Sequence, residues 1–170
     1  MRYARSGATG TLMLTAFLMG CAVRTELTTV MGEPSKLTLG QARTLLEQTK
    51  KPVDRTRAYV ELSDVLIRHI HRHVPRTDQE RTREWLDQYQ NAILSARDEI
   101  VASGRDAQRH PDGFMELEMT LRRHIRWLSD WRFGLVDEQR EPIENTLKTA
   151  SEVRTEMLDL LFPVVIQRRR

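Results

Sequence analysis

Between Thr38 and Leu161 the apolar residues return at alternating intervals of three and four, and no stretch alternates Val, Ile or Thr with polar residues in the way a half-buried strand would. Such a chain can hide its apolar stripes only by packing helix on helix, so the predicted fold class is all-α. The composition agrees: 39% hydrophobic and 30% charged residues, with 8 glycines and 6 prolines in 170 residues, suit a helical globular domain better than a disordered chain.

Caps and prolines divide the stripe. Thr38 can cap a short helix carrying Leu39, Ala42, Leu45 and Leu46, which ends near Lys50 ahead of Pro52. A long helix follows from Pro52 to Pro75, with Val53, Thr56, Val60, Ser63, Ile67, Ile70 and Val74 on its inner face and Tyr59, Leu62 and Leu66 beside them. Thr77 and Glu80 make a capping-box pattern for a third helix, whose inner face is Trp85, Leu86, Tyr89, Ala92, Ile93, Ala96 and Ile100 and which fades at Ser103-Gly104. The segment from Gly104 to Gly113 reads as the clearest loop. A fourth helix carries Phe114, Leu117, Leu121, Ile125 and Leu128, with Trp131 and Leu135 continuing its stripe. A fifth starts between Asp137 and Glu141 and presents Ile143, Leu147, Ala150, Val153, Met157 and Leu160 or Leu161, stopping near Phe162-Pro163. Four helices of about 20 residues with short connections predict an antiparallel four-helix bundle preceded by a short helix. They also group loosely into two hairpins, Pro52 to Ser103 and Phe114 to Phe162, without a residue-level repeat between them.

The N-terminus has the parts of an export signal. Arg2 and Arg5 supply positive charge, and Thr11 to Met19 is an apolar run too short to cross a bilayer core of about 30 Å as a helix. It closes on Leu18-Met19-Gly20-Cys21, which contains the single cysteine of the chain. This run resembles a bacterial lipobox. The resemblance implies that residues 1–20 are a removed signal peptide, that the Cys21 thiol takes a diacylglyceryl group, and that the protein is anchored in the bilayer through acylated Cys21. Two or more acyl chains at about 0.8 kcal/mol per buried methylene hold a protein stably. Lipidation would also consume the only thiol, leaving no disulfide, thiolate metal site or cysteine nucleophile. Residues 21–36 then read as the lipidated cysteine and a flexible tether, 37–163 as the helical domain and 164–170 as a basic tail. Ala22 after the cysteine, rather than aspartate, favours the outer over the inner membrane.

The formal charge of +3 at pH 7 invites a nucleic-acid reading, but loss of the leader leaves 25 basic against 24 acidic residues. Three of those are the terminal Arg168-Arg169-Arg170, so no nucleic-acid partner is expected. That tail reads as solvated, or as a contact with anionic headgroups.

Chemical motifs are sparse. His69 and His73 share one helical face at i and i+4, a spacing able to chelate a divalent metal, while His71 faces elsewhere. His110 and His124 become further ligands only if the fold brings them near; otherwise the histidines are a polar helix end next to its C-terminal carbonyls. Arg122, Arg123, Arg126 and Arg132 lie among Trp127 and Trp131, a mixture that interaction surfaces use. Glu118 with Arg122 and Arg126 with Asp130 at i, i+4 also describe a salt-bridged outer face, which would leave Trp127, with Arg123, as the candidate partner contact. There is no nucleophile elbow, no phosphate-cradling glycine loop and no dinucleotide fingerprint. The expectation is therefore a non-enzyme without a cofactor. The stretches KPVDRTRAYVELSDVLI and LRRHIRWLSDW followed by DEQREPIE are similar to small helical lipoproteins of bacterial envelopes, a resemblance that brings no activity and no site residues.

Taken together, the sequence predicts a periplasm-facing envelope lipoprotein whose helical domain binds or scaffolds another envelope protein. The alternative is a helical bundle that binds a small ligand or a metal.

Overall fold

A computed structural model describes residues 37–73, 79–133, 135 and 137–163. The expected signal peptide, Cys21, tether and basic tail, and the Thr77 half of the capping box, lie outside the described residues. Within them the chain is all-helical, with five helices: α1 (Leu39–Gln48), α2 (Pro52–His73), α3 (Gln79–Ala102), α4 (Phe114–Arg132) and α5 (Asp137–Leu161). None is long and apolar enough to cross a membrane.

The helix boundaries follow local chemistry. Thr38 accepts the Gln41 amide on its side-chain oxygen, and the Gln41 side chain reaches back to the Thr38 amide at 2.8 Å, so a full capping box starts α1. Pro52 occupies the first position of α2, where its missing N–H has no helical partner to lose. α5 begins at the early edge of the expected range, which puts Pro142 inside the helix at the expense of one backbone hydrogen bond. Gly113, just before α4, has φ +85°, and a Cβ there would sit 2.7 Å from Ile100 Cδ1. The glycine is thus what lets the loop from α3 turn back tightly against the α2–α3 pair.

The expected stripes form the core. Ile67, Ile70, Leu86, Tyr89, Ile93, Ile100, Leu117, Leu121, Leu128, Ile143 and Met157 are all fully buried. Leu45 is an exception, 39% exposed at the edge of its stripe; of Leu160 and Leu161 the buried one is Leu161, and Val74 lies outside the described residues. Trp85, Ile125, Trp127, Trp131 and Leu135 are partly buried against the same core.

Cross-helix contacts give the packing. Arg55 at the start of α2 pairs with Glu99 near the end of α3, and His69 at the end of α2 meets Trp85 near the start of α3, so these neighbours run in opposite directions. Between the two hairpins the partners run the same way. Arg57 meets Glu116, Asp64 meets Arg123 and His71 stacks on Trp131, each pair of α2 and α4 residues separated by 59 or 60 positions. On the other side Gln90 bonds Thr146 and Arg97 meets Glu156, linking α3 to α5 in the same sense. The α2–α3 hairpin therefore lies on the α4–α5 hairpin with like helices side by side.

Candidate functional site

The α2–α4 seam holds the densest polar chemistry of the described residues. Asp64 lies on the edge of the α2 stripe, four residues after Val60 and three before Ile67, and is 3% exposed. His124 falls between Leu121 and Leu128 on the inner stripe of α4 and is fully buried. Helix geometry therefore points both side chains inward.

There they meet. His124 Nε2 lies 2.7 Å from Asp64 Oδ1, and His124 Nδ1 lies 3.2 Å from the hydroxyl of the fully buried Tyr89 on α3. Arg123 Nη2 donates to the same Asp64 oxygen. Burial holds the His124 pKa below its ordinary value, against the pull of the Asp64 carboxylate and with the help of the positive Arg123 and Arg68. Neutral His124 satisfies both of its ring nitrogens: the Tyr89 O–H donates to Nδ1, and Nε2–H donates to Asp64. Burial, with the nearby Asp64 charge, likewise raises the Tyr89 pKa, so the phenol keeps the proton it donates. A protonated His124 would present N–H to the phenol oxygen and take away the acceptor of that proton.

The network closes one wall of a cleft. A cavity of about 350 Å3 opens between α2 and α4 beside Arg57, Val60, Glu61, Asp64, Glu116, Met119, Thr120 and Arg123. Val60 and Met119 give it an apolar floor with the buried Thr120 beside them, while Arg57 and Glu116 join across the rim at 2.9 Å. Arg123 is only 12% exposed at its side chain, pinned by Asp64 and lying 5.9 Å from the Trp127 ring centre. Of the Asp64–His124–Tyr89 line only Asp64 reaches the cleft lining, because the histidine and tyrosine are fully buried.

Of the residues singled out from sequence, Arg123 lines this cleft, and Trp127 is half-buried, its ring stacked on His124 with centres 5.9 Å apart. Glu118 and Arg122 do pair, at 2.8 Å, but not on an outer face: Glu118 is 3% exposed and also accepts from Arg154 of α5 at 3.0 Å, so it ties α4 to α5. His69 and His73 lie side by side, ring centres 4.4 Å apart, at the far end of α2. His124 is committed to the core and His110 is in the loop at the opposite end, so neither joins them. Among the described residues no group of three or more His, Cys, Asp or Glu gathers as a metal cage. The Asp64–His124 pair was the part missed by reading residue types one at a time; its signal was a charged and a titratable residue each sitting on an apolar stripe.

No protein-family model, no curated protein and no solved structure matches the chain.

Proposed function

We propose that this protein is a lipid-anchored envelope protein, held through acylated Cys21 with the outer membrane favoured, whose tethered helical domain binds another protein through the α2–α4 cleft. In this reading the domain is a four-helix unit, antiparallel within each hairpin, with α1 laid against α2. The observation that carries it is the cleft itself: an apolar floor inside a charged rim, with an arginine held in place by a buried carboxylate. Partner-binding surfaces concentrate arginine and apolar contacts in this way, and a pre-positioned side chain loses less freedom on binding. Pairing of Arg57 with Glu116 and of Arg123 with Asp64 leaves Glu61 as the excess negative charge of the lining, so the partner offers a basic side chain there. Reactive-type groups spent on one another inside the core support a non-enzymatic role. The cleft volume of about 350 Å3 also lies within the range of small-ligand pockets, about 300–1,000 Å3, which keeps ligand binding at the same cleft as the second reading.

A photo-crosslinking residue at Met119 tests the proposal. The expected result is a reproducible crosslink to an envelope protein, weakened about tenfold by Glu61→Lys and absent when the probe is moved to Lys148 on α5. No crosslink, or the same one from both positions, overturns it, and a small molecule retained at Met119 selects the second reading. The anchor is tested separately: Cys21→Ser should leave the far-ultraviolet circular dichroism unchanged and release the protein from membranes. Continued sedimentation with lipid would mean that something other than acyl chains holds it.

A further inference from the structure

The end of α2 carries a feature that the cleft does not use. His69 and His73 are one helical turn apart, their rings 4.4 Å centre to centre and tilted by 42°, and Trp85 of α3 presents its indole edge-on at 4.5 Å from His69 and 5.8 Å from His73. His71 is excluded from the group, because it lies flat on Trp131 of α4, 5.0 Å away with an interplanar angle of 4°.

We propose that His69 and His73 form a two-histidine site for one divalent transition-metal cation such as zinc, nickel or copper(II). The spacing fits. A metal about 2.0–2.1 Å from an imidazole nitrogen lies about 3.2 Å from that ring's centre, so two rings bound at the right angle of a tetragonal nickel or copper(II) site have centres about 4.5 Å apart, against about 5.2 Å for tetrahedral zinc. The observed separation is 4.4 Å. Two rings this close repel as imidazolium ions, and one metal ion held between two neutral rings removes that repulsion. Among the described residues no carboxylate or thiolate joins the pair, so the site offers two imidazole nitrogens. Magnesium and calcium, which demand oxygen ligands, are therefore excluded by chemistry, and copper(II) binds most tightly of the series. Both ligands lie on α2, so the ion clips its last turn. The site is independent of the α2–α4 cleft, and its failure would leave the cleft proposal standing.

Calorimetric titration of the full chain with nickel chloride at pH 7.5 is the test, alongside tryptophan fluorescence. The expected result is one saturable equivalent whose affinity falls at least about tenfold in His69→Ala and in His73→Ala but holds in His71→Ala. Nickel should quench the fluorescence of the wild type, and Trp85→Phe should lose most of that quenching while keeping the heat. Circular dichroism checks that each variant is folded. Absence of saturable binding, binding that survives His69→Ala or His73→Ala, or equal loss in His71→Ala overturns the site.

Discussion

Two ion pairs bridge the same two helices at nearly the same register, yet they do different physical jobs. Arg57–Glu116 sits at the cleft rim with side chains 46% and 41% exposed, whereas Arg123–Asp64, two turns further on, is 12% and 5% exposed. The outer pair gains little, because water screens it and its long side chains lose rotamer freedom. The inner pair lives in a medium where an uncompensated charge is expensive, and Asp64 is there because Arg123 and His124 both meet it. What separates the two is depth: the inner pair has His124 and Tyr89 behind it, so it fixes how α2, α3 and α4 meet, and the outer pair decorates a rim. Buried polar groups of this kind restrict the alternatives to a single arrangement as much as they stabilise it.

That contrast can be broken experimentally. Asp64→Ala should produce the largest effect, a loss of about 3 kcal/mol in urea denaturation, since it strands the Arg123 guanidinium and the His124 N–H together. A loss below about 1 kcal/mol would show that Arg123 swings out to water and that the inner pair is no deeper in effect than the outer one. Next comes Tyr89→Phe, which deletes the donor to His124 Nδ1 and nothing else of size; it should cost about 1–2 kcal/mol and leave the helical circular dichroism unchanged.

Acidification should follow. His124 has its folded pKa lowered from an unfolded value near 6.5, so below about pH 6.5 the unfolded chain takes up a proton that the native state refuses. Stability is then complete above pH 6.5 and lost as pH falls toward the folded pKa. Denaturation midpoints at pH 7.5 and 5.5 should differ in that sense, and His124→Gln should shrink the difference. His69, lowered in the same direction, contributes a part that His124→Gln leaves in place. A higher midpoint at pH 5.5 than at pH 7.5 would mean that the buried histidine is protonated on Asp64 in the native state, and an unchanged one that folding leaves its pKa where it was. The smallest effect belongs to the rim: Glu116→Gln should cost less than about 1 kcal/mol, and what it costs should vanish in high salt.

Much of the architecture was legible because it is local. The Thr38 cap, Pro52 at the start of α2, the loop ending in Gly113 and the stripes of Leu117, Leu121 and Leu128 or Ile93, Ala96 and Ile100 all follow from preferences within one or two turns. The site was less legible. Glu118 looked like half of a surface i, i+4 pair, because spacing within α4 is visible in the sequence and the approach of Arg154 from α5 is not. His124 looked like a spare metal ligand for the same reason, since its partners Asp64 and Tyr89 are 60 and 35 positions away.

By itself, then, the sequence determined that the chain forms helices, where α1 and α2 start, and which apolar face of each helix turns inward, since each of these depends on neighbours a few residues apart. Only the tertiary structure decided that α2 lies along α4 and α3 along α5, that a carboxylate and an imidazole on separate stripes would neutralise each other's cost of burial, and that a cleft would open beside them. Those outcomes depend on contacts across about 60 residues, where the pattern along one helix carries no information about the register of the next.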